Sequence, residues 1–155
     1  LGSPQGASQG RQRRMSQSPL ALQGEQPCPC ARPGVNQKPL RFSACCGQYL
    51  ESDTPAPDAH SLMRSRYSAF VLQREAYLLG TWHASTRPVQ VGFDTTGKWL
   101  GLDVRKATVH SPTNAEVEFI ARFKPHGASA WRLHERSRFV LQDGRWWYVD
   151  GVQLS

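Results

Sequence analysis

The chain has 155 residues, 39% of them apolar and 20% charged, with 13 Gly and 11 Pro, which fits one medium α+β domain with something small attached and excludes a fibre or a simple bundle. Its formal charge is +7, but Arg11, Arg13 and Arg14 supply three of those charges in a stretch without acids, leaving a mildly basic remainder of +4. That balance allows loose contact with nucleic acid but gives no ground for sequence-specific binding.

No apolar run approaches the roughly twenty residues that a membrane span requires, and no secretory apolar core is visible, so the cytoplasm is the default expectation. The opening LGSPQGASQGRQRR lacks apolar periodicity and reads as a cloning remnant or upstream linker ahead of Met15. Gly, Ser, Gln and Arg bury too little surface to offset chain entropy, so residues 1–26 are expected to be a disordered tail.

Every cysteine falls in residues 27–50, PCPCARPGVNQKPLRFSACCGQYL. Cys28 and Cys30 form a C-x-C pair, and Cys45 and Cys46 are adjacent. Four thiolates from two such pairs can close a tetrahedral zinc shell. A segment this poor in apolar residues has little reason to fold alone, and metal would supply its folding free energy. The alternatives are disulfides or four unrelated thiols. A reducing compartment disfavours the first, and confinement of all four cysteines to one short stretch disfavours the second.

After the spacer ESDTPAP, Asp58 is placed to cap a helix. Leu62, Met63, Tyr67, Phe70, Val71, Tyr77 and Leu78 recur at spacings of three and four, predicting one helix of roughly twenty residues that Gly80 stops. It delivers TWHASTRP, which reads either as a pocket wall or as a core plug at Trp82 with His83 at the surface. Val89–Lys98 reads as a loop or one turn of helix.

The period then becomes two. Trp99–Val109 alternates with Leu100, Leu102 and Val104 on one face. Ala115–Lys124 places Ala115, Val117, Phe119, Ala121 and Phe123 inward. Trp131–Leu141 and Arg145–Gln153 follow, joined at Asp143-Gly144, a strong hairpin signal. Four such strands imply an antiparallel sheet with one buried face, which the helix must cover.

Leu133, Phe139 and Leu141 share their parity with Glu135 and Ser137, which turns both polar residues toward the core face. A carboxylate there must be paired, protonated or in a wet cavity. Arg66, Arg87 and His83 are the available partners, and Asp150 joins them if Trp146 and Tyr148 face inward. Arg66, Tyr67, Trp82, His83, Arg87, Glu135 and Ser137 are thus the candidate pocket lining. Glu135, His83 and Asp150 could support acid–base chemistry in a hydrolase or isomerase. The structural alternative is a buried Arg–Glu pair that fixes the docking of helix and sheet.

From Pro27 onward, CPC, CCGQYL, LMRSRYSAF, YLLGTWHASTRP, WLGL, ERSRF and WWYVDG together resemble the YchJ family of bacterial zinc-binding proteins. The resemblance implies a SEC-C-like zinc knuckle over 27–50, similar to the tail of the SecA translocation ATPase. It assigns zinc to Cys28, Cys30, Cys45 and Cys46. It also implies, over 57–155, a cone-shaped nuclear-transport-factor-like fold in which a long helix packs on a curved four-stranded antiparallel sheet. The usual knuckle has a shorter, Gly-Ser-Gly-bearing link between its cysteine pairs, where this chain has ARPGVNQKPLRFSA. By analogy with the SecA tail, which engages the SecB chaperone and ribosomes, the knuckle would bind a protein or ribosome partner and the cone a small-molecule ligand.

Overall fold

The computed structural model describes residues 21–154, so the tail expected over 1–26 lies outside the described residues as far as residue 20. Residues 21–26 are tied down. Leu22 packs against the core, and the carbonyls of Gly24 and Gln26 accept from the amides of Ser43 and Phe42 at 3.1 and 2.8 Å.

The elements run α1 (Gly47–Leu50), α2 (Ala59–Val71), α3 (Glu75–Gly80), β1 (Lys98–Ser111), β2 (Asn114–Lys124), β3 (Trp131–Gln142) and β4 (Arg145–Gln153). The strands form one antiparallel sheet in the order β1-β2-β3-β4. Two-residue turns join β1 to β2 and β3 to β4, a longer loop over residues 125–130 joins β2 to β3, and the last turn places Asp143 and Gly144 at φ 56° and 79°, as a two-residue hairpin turn requires.

The single long helix is in fact two. Asp58 caps α2 as expected, accepting from the Ser61 amide at 2.7 Å. After thirteen helical residues the chain turns out of the helix through Gln73, in the left-handed region at φ 56°. The Arg74 amide closes that turn on the Ala69 carbonyl at 2.8 Å. The apolar stripe continued through the break because Tyr77 and Leu78 return to the same core on α3.

The sheet packs its inner face on α2. Ala115, Val117, Phe119, Ala121, Phe123 and Phe139 are all buried, together with Glu135 and Ser137. The first two bulges of β1 shift its register between Trp99 and Gly101 and between Val104 and Lys106. Trp99, Leu102 and Val104 therefore face partners on the inner side, whereas Leu100 is bulged out and 37% exposed. The free edge of β4 is partly covered: His83 donates its amide to the Tyr148 carbonyl at 2.7 Å, and the Tyr148 amide donates to Thr81 at 2.8 Å. This pairing fixes TWHASTRP in place. Trp82 is the core plug, edge-on to Tyr148 at 5.2 Å, and His83 is carried to the surface. Residues 89–97 form a loop, as expected, with Lys98 already in β1, and it is anchored where the Val91 amide donates to Glu75 at 2.7 Å.

Candidate metal centre

The cysteine segment folds as a two-armed hairpin. The Cys28 amide donates to the Leu40 carbonyl, the Leu40 amide to Arg32, and the Gly34 amide to Lys38. The extra length of ARPGVNQKPLRFSA is absorbed in this arm, whose tight places fall on Ala31 and Gln37 at φ 56° and 65°. A single turn of 3-10 helix, Phe42–Ala44, then delivers Cys45 and Cys46, with Phe42 buried as its anchor. Gly47 follows because a Cβ there would stand 2.6 Å from the Phe42 carbonyl oxygen.

The four sulfurs converge. Cys28, Cys30, Cys45 and Cys46 are buried and free of disulfides. Their Sγ atoms all lie within 4.8 Å of one another, and Cys30 and Cys45 are 3.6 Å apart. A tetrahedron with metal–sulfur bonds of about 2.3 Å has edges of about 3.8 Å, so the donor set suggests a metal ion. Protonation points the same way. Hydrogen bonds from Cys30, Cys45 and Cys46 hold Cys28 below the usual thiol range. Hydrogen bonding to Cys28 and Cys30 pushes Cys45 and Cys46 above it. Four sulfurs this close cannot all ionise unless a cation sits among them.

The other wall of the centre is α2. The Ser68 hydroxyl lies 3.6 Å from Cys28 Sγ. Arg64 donates to the Cys30 carbonyl at 3.0 Å and to His60 Nε2 at 2.9 Å, and Arg32 donates to Ser61 Oγ at 3.1 Å. A cavity of about 110 Å³ opens beside Cys45 and Cys46 among Arg32, Tyr49, Ser61 and Arg64.

The family model described as YchJ, middle NTF2-like domain, matches residues 58–151. The chain belongs to the YchJ family. A UPF0225 protein of Polaromonas sp. is 59% identical over 135 residues, spanning 86% of this chain and 97% of that relative. Another from Chromobacterium violaceum is 50% identical, covering 81% and 91%. The solution structure of a SEC-C motif containing protein from Rhodopseudomonas palustris superposes with a TM-score of 0.70 at 29% identity, covering 84% of this chain and all of that one. A crystal structure of a SEC-C motif containing protein from Psychrobacter arcticus gives 0.65 at 29% identity, covering 85% of each. The YchJ chain is thus an α+β protein with the nuclear-transport-factor-like architecture, and its four clustered cysteines accompany likeness to SEC-C motif proteins.

The residues expected to line the cone fall into two groups. Arg66, Tyr67, Trp82, Glu135 and Ser137 are buried. The Arg66 guanidinium lies 4.9 Å from the Trp82 ring centroid and 4.4 Å from that of Tyr148. It donates to the Leu78 carbonyl and to Thr81 Oγ1 at 2.8 and 2.7 Å. Burial lowers it to about 10 against the stabilising fields of Tyr148, Tyr77 and Glu135. Ser137 donates to Glu135 at 2.6 Å, and a Cβ at Gly151 would overlap that carboxylate.

His83 and Arg87 belong to the surface loop. His83 bonds Ser85 and Gln142 at 2.7 and 2.8 Å, and Arg87 donates to the Trp82 carbonyl at 2.9 Å. Gln142 lies seven residues from Glu135, about 23 Å along an extended strand. Asp150 is on the opposite face from Glu135. A bulge at Val149 lets Tyr148 pair with Phe139 and Asp150 with Arg138, so Tyr148 points inward while Asp150 accepts from Arg138 at 2.6 and 2.7 Å. The three acid–base candidates do not share a site.

Sequence reasoning passed over the second face of α2. Ser61, Arg64, Ser65 and Ser68 are buried despite their polarity. Their spacing of three, one and three was the available signal. It marks a helix stripe whose small hydroxyls need polar neighbours: Ser61 and Ser68 find them in Arg32 and Cys28 of the cysteine segment, and Ser65 in the Tyr77 hydroxyl of α3.

Proposed function

We propose that this YchJ protein is a small zinc-binding adaptor. Zinc held by Cys28, Cys30, Cys45 and Cys46 would shape the hairpin, and the hairpin would dock a protein or ribonucleoprotein partner. The convergence of four buried sulfurs within 4.8 Å carries the reading. Tetrathiolate sites of this closed kind are structural, since no position remains for substrate. A reducing compartment such as the cytoplasm suits four free thiols. The acid–base alternative has less support, because Glu135, His83 and Asp150 are engaged in separate places.

The partner surface would be the hairpin tip, where Val35 is fully exposed next to Gly34 and Asn36. Affinity capture with the full chain tests this. A partner recovered with wild type should be lost with Val35→Glu, which leaves the metal ligands intact, and with Cys45→Ser/Cys46→Ser. Equal recovery with all three proteins would contradict an adaptor role for this segment.

A further inference from the structure

The cysteine hairpin and α2 enclose more than the four sulfurs. The cavity of about 110 Å³ between them has space for several waters. Its polar lining is Arg32, Gln48, Tyr49, Ser61 and Arg64, and no acidic residue is part of it. Arg64 comes from α2 and is only 9% exposed, whereas Arg32 comes from the hairpin and is half-buried. Among the described residues neither arginine has an acidic partner. Asp58, at the start of α2, accepts instead from the Ser61 amide at 2.7 Å.

A buried guanidinium without a counter-charge is costly. The cysteines do not supply that partner directly, because among the described residues neither arginine donates to a sulfur. The polar side chain beside Cys28 Sγ is Ser68, and Arg64 stops at the Cys30 carbonyl and His60 Nε2, at 3.0 and 2.9 Å. A guanidinium carries five N–H groups. Arg64 spends two of them in those bonds, and Arg32 spends one on Ser61 Oγ at 3.1 Å. The rest are not sealed in. Among the described residues the buried polar side-chain atoms without a partner are Arg66 Nη2 and Trp82 Nε1, neither of which lines this cavity. The spare N–H groups of Arg64 therefore open onto the cavity that it lines.

We propose that this cavity binds a phosphate group, free or as the head of a small phosphate monoester, between Arg32 and Arg64. Water could take the spare hydrogen bonds but would leave both charges uncompensated. A carboxylate offers two oxygens to donors that converge from two separate elements, and a phosphate offers more. Arginine also matches phosphate geometry in charge-assisted pairs. Ser61 Oγ accepts from Arg32, so its own O–H is left to donate, and the Tyr49 hydroxyl comes close to the same serine. The site needs the hairpin folded against α2 but no partner at Val35, so it stands apart from the adaptor role.

The test is isothermal titration calorimetry of the metal-loaded full chain with inorganic phosphate, O-phosphoserine and acetate, at an ionic strength held constant with sodium chloride. Saturable binding of one phosphate or phosphoserine per chain is expected, and the tighter of the two identifies the source. Arg32→Gln should keep its metal content and bind phosphate about 10–100-fold more weakly. Phosphate should raise the Tm of wild type and leave that of Arg32→Gln nearly unchanged. Arg41→Gln is the control, since Arg41 lies on the same hairpin but is 62% exposed and pairs with Glu25 at 2.7 Å. It should bind phosphate as wild type does. The proposal would be overturned by no saturable phosphate binding, by acetate binding more tightly than either phosphate, or by equal losses in Arg32→Gln and Arg41→Gln. Wild-type phosphate affinity in Arg32→Gln would overturn it too. Loss of metal from Arg32→Gln, with no phosphate bound by wild type, would overturn it by making Arg32 a partner of the thiolates alone.

Discussion

His60 and Gly151 show how single residues expose the packing around the two halves of the core. His60 accepts from Arg64 Nε at 2.9 Å, which requires a neutral ring nitrogen. Burial, then the charges of Arg64 and Arg32, hold its pKa below the ordinary 6.5. The folded protein releases this proton more readily than the unfolded chain does. The contribution of His60 to stability is therefore complete above about pH 6.5 and declines as pH falls below it. Urea titrations should show this decline, and His60→Gln, which keeps an acceptor without the charge, should flatten it. Gly151 is needed because of what lies opposite it. A methyl group there would enter the space of the Glu135 carboxylate, so Gly151→Ala should cost about 1–3 kcal/mol. Chemical denaturation measures that cost, and metal content, set on the other side of α2, should not change.

At the scale of elements, α2 joins the two parts of the molecule, with Leu62, Tyr67 and Phe70 in the core it shares with the sheet and Arg64 and Ser68 toward the cysteines. Arg64→Ala removes a charged donor from a buried carbonyl and should cost roughly 1.5–3 kcal/mol in thermal or chemical unfolding. Ser68→Ala removes the hydroxyl beside Cys28 and should weaken metal binding by about 10–100-fold in chelator competition, with little change in the fold. Much of this layout was legible in the residue pattern. The alternation of Ala115–Lys124, the Asp143-Gly144 turn, the Asp58 cap and the inward parity of Glu135 and Ser137 are all local consequences of period and turn chemistry. What escaped was every place where one residue breaks the period. Gln73 enters the left-handed region without being glycine, so nothing in its identity announced the end of α2. Bulges at Leu100 and Val149 each reverse a parity, and they moved Leu100 and Asp150 to the other face. The polar stripe Ser61–Arg64–Ser68 carried no sequence reading of its own because the segment that covers it has almost no apolar signal.

For the whole molecule, a metal held by the four cysteines would decide whether residues 21–50 and the sheet domain behave as one body. Among the described residues no helix is long and apolar enough to cross a membrane. The polar face of α2 is covered by the cysteine hairpin, where Arg64 meets the Cys30 carbonyl and Ser68 meets Cys28. Stripping the metal should expose Ser61, Arg64 and Ser68, lower Tm, and raise hydrogen exchange first in residues 27–50 and then along α2. The most direct test of this account is the elemental content of freshly purified, folded chain. The account predicts about one zinc per chain, falling to a trace in Cys45→Ser/Cys46→Ser. Folded wild-type chain carrying no zinc or other transition metal, with residues 27–50 as protected from exchange as the sheet, would contradict it.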